Sequence, residues 1–525
     1  MGSRLARICS RPTTRDSSVG IITILEAAAG AEVTDSHGGS CLTVQKLASR
    51  FDFVSLGQLG ASSPPPPRCH VVAVPYPGRR HVNAMLNLCH ILAARDGVTA
   101  TVVVTEEWLG LLGGAAAAAS AAAGVVRLEA IPNVVPSEHG RAGDMLGFVR
   151  AVYTRMEAPF ERLLDRLAPG APPPAAIVAD TFVLPWAVSV GNRRGLPVCV
   201  LSPLSATMFS VHYHFDRLPT AADIADGDDP CLVGNYIPGL KSIRFSDLEP
   251  THTNKNMVDL ILEAYSHVRK AQCVIFTSFH ELESNAMDAL RRDLPYPAFS
   301  VGPCIPYMAL QADEHHAGEE EEEPYMAWLD AQPVGSVLYV SLGSFLSVSP
   351  AQLDEIAAGL ADSKVTFLWA LRGDSGARDI LRGGGGGMVV PWTDQLKVLR
   401  HPSVGGFFTH SVMNSTLEAV HAGVPMLTLP IAFDQPIVSR LVADEWRIGY
   451  GLRENGGGGC GGVVGREEIA AVARRLMDSD ADEEAKEMRR RASLMREASR
   501  AAVQEGGSSY RDVTSLINYI SEFKN

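Results

Sequence analysis

A histidine and an aspartate stand where two predicted strands end, and together they are the first candidates for chemistry. His81 follows the apolar run at 70–75 and the turn YPGRR, and Asp180 directly follows the apolar run at 177–179. Because the carboxyl ends of parallel strands meet at one edge of a sheet, both side chains can lie on the same rim. A carboxylate beside an imidazole stabilises the imidazolium that forms when the ring takes a proton, so the pair is a candidate general base. Spacing alone leaves open a helix cap and an unrelated polar rim residue.

A second group of polar side chains lies between residues 392 and 435. The predicted strand at 404–409 leads into His410, and Asn414 and Ser415 open a predicted helix. A helix N-terminus presents free N–H groups and the positive end of the helix dipole, which suits a diphosphate. Other side chains in the same segment have candidate roles: Trp392 offers a flat face for a base, Glu418 could accept ribose hydroxyls, and Asp434 and Gln435 could bind sugar hydroxyls.

These candidates need a scaffold that brings strand ends together, and the hydrophobic pattern predicts one. Short apolar runs, typical of strands buried on both faces, alternate with helical patterns along most of the chain. The predicted strands are 70–75, 98–105, 177–179, 198–201, 336–341, 365–371, 404–409 and 426–429. The predicted helices include 82–95, 351–361 and 415–422. This alternation predicts an α/β protein with two doubly wound domains and a cleft between them.

Changes in composition divide the chain into segments. Residues 1–67 end in SSPPPP with little periodicity, which predicts a disordered extension. The segment 304–325 contains five consecutive glutamates and is predicted to be a solvated linker, with an acidic partner-binding site as the alternative. The two domains are therefore predicted at 68–303 and 326–525, and the last helix is expected to pack back on the first domain.

Charge and cysteine usage exclude several classes of protein. The formal net charge is −13, which argues against a broad basic face for nucleic acid. Nine dispersed cysteines without a C-x-x-C pair predict buried thiols and a cytoplasmic location, although a transit peptide at the N-terminus is an alternative. Residues 108–126 are uncharged but mostly alanine and glycine, so a helix within the folded protein is expected here and not a membrane span. We expect a monomer.

Three segments carry a family resemblance. The stretch at 392–435, WTDQLKVLRHPSVGGFFTHSVMNSTLEAVHAGVPMLTLPIAFDQ, resembles the signature box of plant-type family 1 UDP-sugar glycosyltransferases. PYPGRRHVNAMLNLCHIL and VADTFVLPWAV resemble the family's two catalytic segments, and the likeness covers roughly residue 68 to the C-terminus. The resemblance implies the GT-B fold, two Rossmann-like doubly wound domains that face a cleft. The first would bind mainly a small-molecule acceptor and the second the UDP-sugar.

The resemblance also implies the reaction and its catalytic residues. The family's members are inverting: an acceptor hydroxyl attacks the anomeric carbon in one displacement and UDP leaves. His81 would deprotonate the acceptor, and Asp180 would stabilise the charge of His81. Asp434 and Gln435 would bind the sugar. In the family, glutamine at the position of Gln435 is usual in members that transfer glucose. The UDP-sugar is then a co-substrate, and neither a cofactor nor a metal is expected.

The same resemblance implies how the nucleotide is bound. Trp392 would stack on uracil, and Gln395 and Glu418 would bind the ribose. The diphosphate would be bound by four residues, namely Ser344, His410, Asn414 and Ser415.

Several residues depart from the family pattern. The family's H-C-G-W-N-S appears here as HSVMNS at 410–415. Val412 in place of glycine is costly if φ must be positive, and Met413 in place of tryptophan can leave space unfilled. Phe433, Arg80 and Ala84 replace the more usual Trp, Gly and Pro. We therefore expect an active but impaired enzyme, and expect that Gly at 412 with Trp at 413 would raise donor affinity.

Three motifs look like metal sites, and none is expected to bind a metal. Their residues are Asp226, Asp228 and Asp229; Asp478, Asp480 and Asp482; and His212 with His214. The first group is predicted to lie in a surface loop. The second lacks the glycine and the glutamate of a calcium-binding loop, and the third lacks further ligands nearby.

The predicted function is transfer of a hexose, with glucose favoured, from a UDP-sugar to a hydroxyl of a small lipophilic acceptor. The acceptor would be a plant secondary metabolite or hormone, in a pocket formed by loops at 134–154 and 205–213. The alternative is a GT-B protein that binds a nucleotide or small molecule without turnover. A nucleotide-sugar epimerase is disfavoured because the chain has no G-x-x-G-x-x-G turn after its first strand.

Overall fold

A computed structural model describes most of the chain after residue 68. The described residues are 69–113, 126–141, 143–167, 172–219, 232–248, 254–306, 323–343, 348–372, 386–452, 462–478 and 482–523. The predictions for residues 1–67, for most of the acidic linker and for Ser344 lie outside this part of the chain. Residues 66–525 form one compact unit.

Two parallel sheets form the framework of the described residues. The strands of the first sheet are β1 (Cys69–Val74), β2 (Val98–Thr105), β3 (Val126–Ile131), β4 (Ala176–Asp180), β5 (Val198–Ser202), β6 (Cys273–Phe276) and β7 (Ala298–Ser300). Those of the second are β8 (Val337–Ser341), β9 (Thr366–Ala370), β10 (Gly387–Val390), β11 (Val404–Thr409), β12 (Met426–Thr428) and β13 (Gly449–Gly451). Every predicted strand is present, with its ends shifted by at most two residues.

Helices cover the faces of both sheets. Those associated with the first sheet are α1 (Arg79–Ala93), α2 (Met145–Arg155), α3 (Glu157–Leu167), α4 (Leu184–Arg194), α5 (Ala206–Tyr213), α6 (Lys255–Val268) and α7 (Ser284–Asp293). The later helices are α8 (Pro324–Asp330), α9 (Pro350–Ser363), α10 (Gln395–Arg400), α11 (Met413–Ala422), α12 (Gln435–Arg440), α13 (Arg466–Met477), α14 (Glu483–Val503) and α15 (Ser508–Glu522). The central strands of both sheets are buried on both faces, as their continuous apolar sequences predict, whereas the edge strands β3 and β10 are partly exposed.

The strand order places the functional loops. The first sheet runs β3-β2-β1-β4-β5-β6-β7 and the second β10-β9-β8-β11-β12-β13. The order therefore reverses between β1 and β4, and again between β8 and β11. Ligands of open α/β sheets bind outside the carboxyl ends of the strands at such reversals. His81 and Asp180 lie at the first reversal, and His410 lies at the second.

The last helix, α15, packs on the first sheet although it follows the second in sequence. Val513, Leu516 and Ile520 are buried in the same apolar cluster as β1 and α1. Asp512 accepts a hydrogen bond of 2.6 Å from the backbone N–H of Ser300 at the end of β7. The C-terminus thus crosses between the two halves of the molecule.

No helix among the described residues is long and apolar enough to cross a bilayer. Residues 114–125, most of the uncharged Ala/Gly stretch, lie outside those residues. The predicted domain limits at 68–303 and 326–525 stay predictions, because residues 307–322 of the connecting segment are not described.

Candidate active site

The fold brings His81 and Asp180 into direct contact across 99 residues of chain. His81 lies in the first turn of α1, just after β1, and Asp180 is the last residue of the neighbouring strand β4. The Nδ1 atom of His81 lies 2.7 Å from the Oδ2 atom of the buried Asp180. The other oxygen of Asp180 accepts a hydrogen bond from the backbone N–H of Phe182. A carboxylate at Nδ1 favours the proton on that nitrogen, so Nε2 is available as the base.

Aromatic rings fix the orientation of His81. The ring of Tyr76 lies 4.9 Å from that of His81, and the ring of Phe182 lies 5.9 Å away on an edge-on approach. The His81 side chain is 15% exposed, so it is shielded but accessible. Such packing limits the imidazole to one rotamer, which a general base needs.

A small, mostly apolar cavity of about 100 Å³ lies in front of His81, and we call it the inner pocket. Its walls come from both halves of the molecule. They include Tyr76, Arg80, His81, Arg141, Met145, Val149, Phe182, Met208, His212, Met257, Ile261, Met413, Asn414, Phe433 and Asp434. Residues from both predicted acceptor loops, 134–154 and 205–213, contribute to it.

Asn414 connects the two halves of the site directly. It is the second residue of α11, which follows β11 in the second sheet. Its Nδ2 atom donates a hydrogen bond of 3.0 Å to the backbone carbonyl of Arg80, the residue before His81. The N-terminus of α11 and the imidazole of His81 therefore face the same space.

A larger cavity of about 520 Å³, the outer cleft, adjoins the inner pocket. Of the residues that the family resemblance assigned to the nucleotide and sugar, seven line this cleft: Trp392, Gln395, His410, Asn414, Ser415, Glu418 and Gln435. Trp392 is 55% exposed, which leaves the face of its indole open to a planar base. Asp434 lines the inner pocket, beside His81.

Glu418 and Gln395 form a hydrogen-bonded pair in the wall of the outer cleft. The Nε2 atom of Gln395 donates to Glu418 at 2.5 Å and to the hydroxyl of Ser415 at 2.9 Å. Burial raises the pKa of Glu418 to about 7, although the hydrogen bond from Gln395 opposes the shift. A ligand that donates hydroxyl groups to Glu418 would therefore stabilise its ionised form.

His410 is buried, which favours its neutral form. Burial, followed by the positive charge of Arg80, lowers its pKa to about 3. Its Nδ1 atom has no hydrogen-bond partner among the described residues. Gly343, with φ of 82°, lies against this ring, and a Cβ there would be 2.5 Å from the Nε2 atom of His410. A glycine is thus required for the imidazole to occupy this position.

Gln435 and Asp434, which follow β12 in the chain, have different kinds of partner. The Oε1 atom of Gln435 accepts hydrogen bonds from the backbone N–H groups of Ile431 and Ala432, at 2.6 and 3.0 Å. Asp434 is buried, and its Oδ1 atom lies 3.6 Å from a guanidinium nitrogen of Arg80. Arg80, where the family often has glycine, therefore forms an ion pair with a residue assigned to the sugar.

The structure corrects one expectation about the HSVMNS segment. Val412 has a φ of −73°, so its β-branched side chain is not strained; the positive φ, of 64°, falls on Ser411. Met413 is buried in the main apolar cluster and also lines the inner pocket. The Phe433 replacement does fall at a positive φ, of 59°. Ala84, in the middle of α1, is fully buried.

Arg141 lines the candidate site although no sequence pattern pointed to it. This side chain is 5% exposed and lines both the inner pocket and the outer cleft. An arginine in the predicted acceptor loop at 134–154 was the available signal, but no pattern distinguished it from a surface arginine.

Within the described residues, no three His, Cys, Asp or Glu side chains group as metal ligands. Asp226, Asp228 and Asp229 lie outside those residues, as does Asp480. His212 lines the inner pocket, whereas His214 points elsewhere, with its Nε2 atom 3.1 Å from Asp293. Asp482 caps α14 by accepting a hydrogen bond from the backbone N–H of Ala485.

Comparison with known proteins decides the family. A family model described as UDP-glucoronosyl and UDP-glucosyl transferase matches residues 255–449. UDP-glycosyltransferase 87A2 of Arabidopsis thaliana is 42% identical over 464 residues, which cover 87% of this chain and 98% of that protein. The chain belongs to the UDP-glycosyltransferase family. It is therefore an enzyme that uses a UDP-sugar as donor, and the resemblance to the plant-type family is confirmed.

Two further UDP-glycosyltransferases agree in sequence and in fold. The 7-deoxyloganetin glucosyltransferase of Gardenia jasminoides is 31% identical, over 87% of this chain and 98% of that protein. The crystal structure of Medicago truncatula UGT71G1 complexed with UDP-glucose matches with a TM-score of 0.71 at 25% identity, over 86% of this chain and 98% of that one. The predicted GT-B fold is thus confirmed for this UDP-glycosyltransferase.

Proposed function

We propose that this enzyme transfers glucose from UDP-glucose to a hydroxyl group of a small lipophilic acceptor, with inversion at the anomeric carbon. The observation that carries the proposal is the hydrogen bond from Asn414 to the carbonyl of Arg80. It supports a single reaction space, bounded by the His81–Asp180 pair on one side and by the N-terminus of α11 on the other.

In the proposed mechanism, the acceptor lies in the inner pocket with its hydroxyl at Nε2 of His81. The acceptor oxygen attacks the anomeric carbon as the bond from that carbon to the diphosphate breaks. His81 takes the hydroxyl proton, and the buried carboxylate of Asp180 stabilises the resulting imidazolium. The electron pair leaves with UDP, whose diphosphate is stabilised by the N–H groups and dipole of α11.

The donor would lie in the outer cleft. Uracil would stack on Trp392, and the ribose hydroxyls would donate to Glu418 beside Gln395. His410, Asn414 and Ser415 would contact the diphosphate, joined by Ser344. Asp434 and Gln435 would bind the sugar, which supports a hexose with free hydroxyls such as glucose.

Two observations support the choice of donor and acceptor. The relative from Gardenia jasminoides is named a glucosyltransferase, and the Medicago truncatula structure contains UDP-glucose. The inner pocket is small and lined mostly by apolar side chains, which suits a lipophilic molecule. The unstrained φ of Val412 removes one of the reasons for expecting a protein without turnover. A cytoplasmic location and a monomeric state stay predictions.

The test is to incubate the purified enzyme with UDP-glucose and a panel of phenols and alcohols. We expect release of UDP together with a glucoside of inverted, β configuration, identified by mass and by NMR. UDP-galactose and UDP-glucuronate are tested in the same way as comparison donors, to show whether the enzyme prefers glucose as the transferred sugar. Binding of UDP-glucose without any glycoside, or a product of retained configuration, would contradict the proposal.

A further inference from the structure

Two arginine side chains line the inner pocket, which is otherwise mostly apolar. Arg80 comes from the first turn of α1, directly before His81, and Arg141 comes from the segment between β3 and α2. Both also line the outer cleft, so they lie where the pocket and the cleft meet. A guanidinium remains charged at neutral pH, and burying a charge is costly unless an opposite charge compensates it.

Arg141 is held rigidly toward this junction. Its Nη1 atom donates to the backbone carbonyl of Pro77 at 3.4 Å, and its Nη2 atom lies 3.1 Å from Glu138. The guanidinium carbon is 5.9 Å from the ring centre of Tyr76 and 5.6 Å from that of Phe148. Burial holds the pKa of Arg141 below its usual value, and the nearby charge of Arg80 acts in the same direction.

Arg80 has a single acidic partner in the described part of the site, and the sugar would compete for it. That partner is Asp434, at 3.6 Å from a guanidinium nitrogen. If hexose hydroxyls bind Asp434, as proposed above, they take up oxygen atoms that otherwise face Arg80. A carboxylate on the acceptor would then take up the hydrogen-bond donors of Arg80 that otherwise face Asp434.

We propose that the acceptor is a small organic acid, a molecule with an apolar body, a hydroxyl group and a carboxylate. This inference rests on the proposed function. The acceptor hydroxyl would lie at the Nε2 atom of His81, and the apolar body would fill the inner pocket. The carboxylate binds Arg80 and Arg141. Guanidinium groups match carboxylates in shape and charge, and such charge-assisted hydrogen bonds are stronger than neutral ones.

The test compares acids with neutral molecules of the same shape. The probes are the three hydroxybenzoates, with the hydroxyl ortho, meta or para, and the corresponding hydroxybenzamides. With the native enzyme and UDP-glucose, we expect kcat/KM for at least one acid to exceed that of its amide by about tenfold or more, the usual difference between charged and neutral hydrogen bonds.

Substitutions assign the preference to the two arginines. Arg141→Met and Arg80→Met are each expected to reduce the acid-to-amide ratio of kcat/KM severalfold. Arg150→Met, at an exposed position of α2 outside both cavities, is the matched control and should retain the native ratio. Because both arginines also line the outer cleft, circular dichroism and thermal unfolding of each variant, not donor affinity, show whether it is still folded.

The outcomes separate this inference from the proposed function. Conversion of the amides or of simple phenols as efficiently as the acids would overturn the inference and leave the glucosyltransferase function intact. An acid preference that is unchanged in both folded arginine variants would also overturn it. The absence of a glycoside from any acid, amide or phenol would contradict the proposed function itself, and the inference with it.

Discussion

At the scale of single residues, the environment of each side chain determines what it can do. His81 and Glu418 are both ionisable and both line the site, but their partners differ. Asp180 accepts from the imidazole of His81 and leaves its second nitrogen as a base. Glu418 is half-buried in the wall of the outer cleft, where desolvation of its carboxylate raises its pKa to about 7 although the amide of Gln395 donates to it.

The raised pKa of Glu418 predicts that donor affinity depends on pH. Only the ionised carboxylate can accept hydrogen bonds from both ribose hydroxyls, so affinity should increase as the pH rises through 7 and then level off. We expect UDP-glucose to bind roughly tenfold more weakly near pH 6 than near pH 8. Calorimetric titration of UDP-glucose at a series of pH values measures this.

The matched control for this effect is Glu418→Gln. Glutamine keeps a carbonyl acceptor but does not titrate, so its affinity for UDP-glucose should be lower at high pH and nearly constant across the range. A native affinity that is constant with pH, or that falls as the pH rises, would show that Glu418 does not bind the ribose as a carboxylate.

The identities of the site residues could be predicted from sequence, but their contacts could not. His81 and Asp180 could be paired because both follow predicted strands, and the signature segment supplied most of the donor side. The bond from Asn414 to the Arg80 carbonyl depends on how the two halves pack, which no local pattern encodes. Arg141 could not be selected from the sequence for the same reason. Its side chain lines the two cavities only because the folded chain places it beside the ring of Tyr76.

At the scale of elements, β11 and α11 determine the positions of the residues that we propose bind the diphosphate. The strand is buried throughout, and the chain turns at Ser411, whose φ is positive, before α11 begins at Met413. Apolar runs and helical spacing predicted both elements. They did not predict which residue takes the unusual φ, because turn geometry depends on the neighbouring strands. The expected strain at Val412 was wrong for this reason.

The packing of α11 predicts that a tryptophan at 413 destabilises the protein. Met413 is 1% exposed and packs in the main apolar cluster beside the inner pocket, so a larger ring must displace buried neighbours or fill part of that pocket. We expect Met413→Trp to lower the free energy of unfolding by about 1–3 kcal/mol, and Met413→Leu by less than about 1.5 kcal/mol. Chemical denaturation measures both. A Met413→Trp variant that is more stable than the native protein, or that binds UDP-glucose more tightly, would contradict this.

At the scale of the whole molecule, polar contacts hold the two halves together. Asp247, in a short helix at Phe245–Asp247, accepts two hydrogen bonds of 3.2 Å from Arg440 at the end of α12. Ser242 donates to Glu445 at 2.6 Å in the same region. Together with α15, these contacts join the first sheet and its loops to the second.

The Arg440–Asp247 pair is largely buried, so removing one partner leaves a charge without compensation. We expect Arg440→Met to lower the free energy of unfolding by about 3–5 kcal/mol. Arg440 also contacts Asp444, at 3.0 Å, but Asp444 is 38% exposed. Asp444→Asn is therefore the control and should cost less than about 1 kcal/mol. Equal losses in the two variants, measured by urea denaturation, would show that the Arg440–Asp247 contact does not contribute as proposed.

The central claim is that one half of the molecule supplies the base and the other half binds the donor. His81→Ala separates the two functions, because it removes the imidazole without changing the outer cleft. We predict that kcat falls by about 10²–10⁴-fold while the dissociation constant of UDP-glucose, measured by calorimetry on the same preparation, stays within about twofold. Asp180→Asn should also lower kcat. A His81→Ala enzyme that keeps its turnover, or that loses donor binding as much as turnover, would contradict the account.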